Sequence, residues 1–180
     1  MIGFLILSQD SDIKGVRRLF ETIEFTVSTG QKVLCAVSDH VLVPIAKVSI
    51  YAMGKVPIYP KQELAELQAF KQNNRKVFDS DSNNERRLLE IKKLKHNYER
   101  SQAMLNSVLS MGFDNSATTV NTIVEHLLEI GQSINEVNCK NYKSEIVTPR
   151  GILLVISTWK ILPREERYLT TINFNSINQR

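Results

Sequence analysis

The stretch VLVPIAKVSIYAM, residues Val41–Met53, decides how this chain is built, and it supports two readings. Ala46, Val48, Ile50 and Ala52 alternate with Lys47, Ser49 and Tyr51, the period of a strand with one buried face. Its β-branched content points the same way. The stretch is also punctuated as a helix, with Asp39 as a cap, Pro44 in the first turn and Gly54 just past the end. We adopt the helix, because Lys55-Val-Pro-Ile-Tyr59 then reads as the next strand.

Upstream, Phe4-Leu5-Ile6-Leu7 has the look of a strand buried on both faces. Ser8–Asp12 offers oxygens to cap a helix, in which Ile13, Val16, Leu19, Phe20 and Ile23 recur at helical spacing. Phe25–Val27 and Lys32–Val37 read as strands. The order strand, helix, strand, strand, helix, strand makes residues 1–60 a small α/β subdomain.

Residues 61–142 read as a helical arm. Lys61–Phe78 is helical, and the polar run 79–84 breaks the arm and caps the next helix. Over Glu85–Met111, Leu88, Ile91, Leu94, Tyr98, Leu105 and Leu109 form one stripe at about 100° per residue. Gly112 stops that helix, and Ala117–Ile130 is another. Residues 143–180 read as a hairpin, Tyr142–Val147 and Ile152–Trp159 around Thr148-Pro149-Arg150-Gly151. A polar tail follows from Asn173, and the whole segment is expected to pack on the N-terminal subdomain. The expected fold class is thus α/β, with α+β as the variant.

Two local patterns resemble known families. Phe4–Leu7, its acid-containing loop, the helix and Phe25–Val27 resemble a response-regulator receiver in pattern. Ser8 and Gln9, however, stand where a receiver has its acidic pair. No phospho-acceptor strand of the expected form follows unless Asp39 serves, so the resemblance implies an α/β sheet and no more. Leu105–Phe113, ending Met-Gly-Phe, resembles the first helix and turn of a ubiquitin-associated domain, and Thr122–Leu128 resembles its last helix. That family's middle helix has no room between them.

The composition is 42% hydrophobic and 23% charged over 180 residues, which excludes a disordered tail or a disulfide miniprotein. Cys35 and Cys139 stand alone, too few for a zinc site. No apolar stretch is long enough to span a bilayer, so the expectation is a cytoplasmic protein without membrane contact. Net charge is +4. Residues 61–110 carry 10 basic and 7 acidic groups, so +3 of the +4 lies there. There is no glycine-rich phosphate loop and no HExxH.

Three functions are expected from these features. The first is a non-catalytic adaptor or assembly protein that docks a protein partner or a second copy through the arm, with Leu88, Ile91, Leu94, Tyr98 and Trp159 as anchors. The second is a nucleic-acid-binding regulator using Arg86, Lys92, Lys93, Lys95 and Arg100 on phosphates. The third is a phosphoryl-transfer or hydrolytic enzyme. Its metal would be Mg²⁺ on Asp10, Asp12 and Asp39, converging beyond the strand ends. Only that third reading requires a cofactor. Cys35 and His40 would make a nucleophile and base only if the turn between them brought them together.

Overall fold

The computed structural model describes residues 20–178. The strand read at Phe4–Leu7, the cap at Ser8–Asp12 and the helix start at Ile13 lie outside the described residues. Strands β1 (Glu21–Thr26), β2 (Lys32–Ser38) and β3 (Val41–Pro44) form an antiparallel meander. Strands β4 (Tyr142–Thr148), β5 (Gly151–Ile161) and β6 (Arg167–Asn178) form a second. The two join in parallel through β3 and β6, in the order β1-β2-β3-β6-β5-β4. Helices α1 (Lys61–Asn73), α2 (Arg75–Ser80), α3 (Ser82–Ser110) and α4 (Ala117–Gly131) all fall between β3 and β4. The fold is α/β, a mixed sheet with helices and a C-terminal hairpin, β4–β5.

Val41–Met53 satisfies both of its readings in turn. Val41–Pro44 is strand, buried on both faces, and Lys47–Ala52 is a π-helical turn. Pro44 has no N–H with which to continue the ladder, and the chain leaves the sheet after it. Lys55–Tyr59 is not a strand, because β3 already has β2 on one side and β6 on the other. The helix expected to run through Ile23 is strand from Glu21, where Ile23 pairs with Cys35.

The expected polar tail is also corrected. Asn173–Asn178 completes β6, an interior strand. Phe174 is the one residue of that stretch in the core, so the stretch's own composition reads as polar, and ahead of it β6 carries a bulge. Thr158 pairs with Thr171 but Trp159 pairs with Leu169, so Thr170 is an extra residue. Leu169 and Ile172, three apart, are therefore both buried.

The helix read over Lys61–Phe78 breaks at Asn74 (φ −136°, ψ 51°), which turns α2 so that Phe78 is buried. The polar break at 79–84 contracts to Asp81, whose carboxylate accepts from the Asn83 N–H at 2.9 Å and caps α3. At its other end α3 stops where Gly112 takes φ 87°.

The single stripe on α3 is the largest correction. Leu88 and Ile91 are buried in a small core with Leu64 and Phe78. Met104, Val108 and Met111 are buried in the main core with the sheet and α4. At about 100° per residue these two faces lie about 150° apart, so the helix changes its buried side midway. Leu94 and Leu109, on the supposed stripe, are each 41% exposed.

Helix α4 approaches the sheet at Gly131, where a Cβ would run into Val41 and Trp159. The opposite sheet face carries no residue of the main core. On its β4–β6 half, Val147, Ile152 and Ile177 stand side by side in register. On its β1–β3 half, the Phe25 and Tyr168 rings meet at 5.4 Å, although strands β2 and β3 lie between their own, and Cys35 and Leu42 there are buried.

Leu88→Ala is expected to cost about 2–5 kcal/mol in thermal or denaturant melts, as for other buried leucines. Leu94→Ala, half in solvent, should cost less than about 1 kcal/mol.

Candidate interaction surface on the helical arm

The arm is built from its own side chains. Phe70 and Phe78 pack edge to face at 5.6 Å, and Lys71 lies 5.3 Å over the Phe78 ring. Arg87 forks onto Glu63 at 2.6 and 2.8 Å, and its third nitrogen donates to Glu90 at 2.9 Å. The guanidinium holds the Glu63 carboxyl below the usual carboxylate range. Lys71 donates to Glu85 at 2.6 Å. These pairs tie α1 to the N-terminal half of α3 over the Leu64–Leu88 core.

On the side of α3 facing away from α1 and α2, Arg86, Leu89, Lys93 and His96 are all exposed, Leu89 by 56%. Arg86 and Lys93 are seven apart and so lie one above the other, with Leu89 and His96 in the next row. This is the face that packs on the sheet one or two turns further along, and here it has nothing against it among the described residues. Sequence reasoning missed Leu89 because it counted one stripe on a helix that has two.

The expected anchors do not form one surface. Leu88 and Ile91 are enclosed by α1 and α2. Trp159 is buried under α4, with its indole N–H donating to Ser157 Oγ at 2.9 Å. Tyr98 packs edge to face on Tyr59 at 5.9 Å, and Leu94 is 41% exposed. The expected phosphate-binding cations are also divided. Arg86 donates to Asn83 Oδ1 at 2.8 Å, Lys95 pairs with Glu99 at 3.7 Å, and Arg100 donates to the Ile172 carbonyl at 2.7 Å. Lys92 lines a shallow groove with Lys71 and Arg75, and Lys93 is exposed.

Asp10 and Asp12 lie outside the described residues. Asp39 sits in the turn after β2 at φ 49° and accepts from Gln132 Nε2 at 3.3 Å. Among the described residues no three His, Cys, Asp or Glu side chains gather to hold a metal ion. Cys35 is fully buried, and burial pushes its thiol up to about 12, so it is no nucleophile at neutral pH. The turn between Met111 and Ala117 holds no helix, which leaves the ubiquitin-associated pattern without its middle element. Asp114 instead serves α4, accepting from the Thr119 hydroxyl at 2.7 Å and from Ser116. Those hydroxyls hold its carboxyl low.

One titratable group links α4 to the edge of the sheet. The His126 ring and Ser144 Oγ of β4 share a hydrogen bond of 2.9 Å. Desolvation holds the imidazole below its ordinary value, and Glu129 opposes this. The unfolded chain therefore takes up its proton first. Stability should be full above the unfolded value, about 6.5, and fall as pH drops below it toward the depressed folded one. Melts from pH 8 to 5 should show that fall, and His126→Gln should flatten it. No helix of the described residues is long and apolar enough to cross a membrane. The chain matches no protein-family model and no curated protein, so the surfaces have to be read from their own chemistry.

Proposed function

We propose that this chain is a non-catalytic, cytoplasmic interaction protein that docks a protein partner on the bare side of its arm. The observation that carries the reading is Leu89, 56% exposed between Arg86 and Lys93 on a helix whose other side is already packed. An exposed leucine flanked by cations suits an apolar segment with acidic flanks, the helix-on-helix mode of recognition. The arm's internal core supports it further, because a preorganised surface loses little entropy on binding.

The nucleic-acid reading draws on the same cations. It is less favoured because Arg100 and Lys95 are already engaged and Leu89 occupies the middle of the row. Leu89→Asp should leave the melting temperature nearly unchanged and weaken partner binding by about 2 kcal/mol or more, the cost of a central anchor. The measurement is recovery of one co-purifying protein from the native cell by the tagged wild-type and variant chains, with and without nuclease. Recovery that survives Leu89→Asp contradicts the reading. Recovery lost on nuclease treatment, with a steep salt dependence, would favour the nucleic-acid alternative.

A further inference from the structure

The Lys47–Ala52 turn brings a second basic side chain up to Arg100. Ser101 Oγ donates to the Tyr51 carbonyl at 2.6 Å and Gln102 to the Gly54 carbonyl at 2.7 Å, so the turn is fastened to α3 at the level of Arg100. Lys47 stands four residues ahead of Tyr51 in the turn, and Lys47, Tyr51 and Arg100 are each half-buried. Burial, and then the Arg100 guanidinium, lower the Lys47 amine from its ordinary value. Burial raises the Tyr51 phenol, and the same guanidinium opposes it.

No carboxylate answers these two cations among the described residues. The elements packed on the turn are β3, β6, α3 and α4. Strands β3 and β6, the turn itself, and β2, which carries Cys35, contain no Asp or Glu. On α3 the adjacent Glu99 pairs with Lys95 at 3.7 Å. On α4, Glu125 and Glu129 do not act on Lys47, whose charged neighbours are Arg100 and the Cys35 thiol. Neither Lys47 nor Arg100 takes part in an ion pair among the described residues. Arg100 gives Nη2 to the Ile172 carbonyl at 2.7 Å, which fixes its fork and leaves Nε and Nη1 to a further acceptor. No buried side-chain nitrogen or oxygen of the described residues lacks a partner, so the Lys47 amine, which has none, opens to the surface.

Two like charges held together at half-burial repel with little screening. A dianion between them removes that repulsion and accepts charge-assisted hydrogen bonds from both, the guanidinium fork being matched to phosphate oxygens. A carboxylate, with one charge, offsets only half of it. We infer that Lys47 and Arg100, with the Tyr51 hydroxyl, form a binding site for a phosphate-type dianion, either inorganic phosphate or the phosphoryl group of a small monoester.

The test is the rate at which acetic anhydride modifies each lysine of the full chain, followed by mass spectrometry in phosphate and in chloride of equal ionic strength. Lys47 should be modified several-fold more slowly in phosphate, with saturation in the roughly millimolar range expected of two charged contacts. The exposed Lys93 should be unaffected. Methyl phosphate protecting at a lower concentration than inorganic phosphate assigns the site to a monoester, and the reverse order assigns it to free phosphate. The amide resonances of Tyr51, Ser101 and Ile172 should shift with the same saturation. Lys47→Gln should weaken that response about tenfold or more, the loss of one charge-assisted hydrogen bond, and Lys47→Arg should retain it. Equal rates for Lys47 in phosphate and chloride, slowing shared equally by Lys93, or protection by acetate as strong as by phosphate overturns the inference. So do amide shifts undiminished in Lys47→Gln. The modification arm uses the unaltered chain, so it decides the matter even if Lys47→Gln does not fold. None of these readouts involves Leu89, so they are separable from the partner reading.

Discussion

Two residue pairs hold the architecture together: Val41 beside Arg167, and Leu42 beside Tyr168. They are the whole of the parallel ladder between β3 and β6. Without it the chain would be two separate three-stranded meanders, each with an open edge and half a core. The junction is reinforced from both layers. The Arg167 N–H donates to the His40 carbonyl at 2.7 Å, and its guanidinium donates to the Ile134 carbonyl at 3.1 Å, just beyond α4. Gly131 brings α4 down onto Val41 and Trp159 at the same place. The ladder is short because β3 ends at Pro44, which has no N–H to continue it, and the Lys47–Ala52 turn follows.

That turn also sets where the arm emerges. Ser101 Oγ donates to the Tyr51 carbonyl at 2.6 Å, Gln102 to the Gly54 carbonyl at 2.7 Å, and Arg100 to Ile172 at 2.7 Å. These three consecutive residues clamp α3 just where its buried side changes. Below the clamp the helix belongs to the sheet core, and above it to α1 and α2. A 29-residue helix is about 43 Å long at 1.5 Å per residue, more than one sheet can cover. The surplus is stabilised by its own small core, and its outer side is left bare.

The parts of the fold legible in the sequence are those whose signal is local. The cap and stop of α3, the α4 periodicity, and the β4–β5 hairpin with its turn are all set by neighbouring residues. The parts that were not legible depend on pairing across the chain. Period-2 reading fails on β6 because the bulge at Thr170 places Leu169 and Ile172 on one side. Lys55–Tyr59 has strand composition but no free strand edge beside β3. The arm's surface was half legible. Its charge bias toward residues 61–110 is plain in the composition. Which leucines face outward depends on α1 folding back over Leu88, and no pattern within α3 shows that.

The most direct measurement of the two-pair junction is native-state hydrogen exchange at the Arg167 amide, compared with Val155 in the middle of β5. If the junction closes one cooperative sheet, both amides should exchange only through global unfolding, with the same free energy and the same response to denaturant. An Arg167 amide that exchanges at the rate of the exposed Thr148–Gly151 turn while Val155 remains protected would mean the two meanders separate independently. That result would contradict the account.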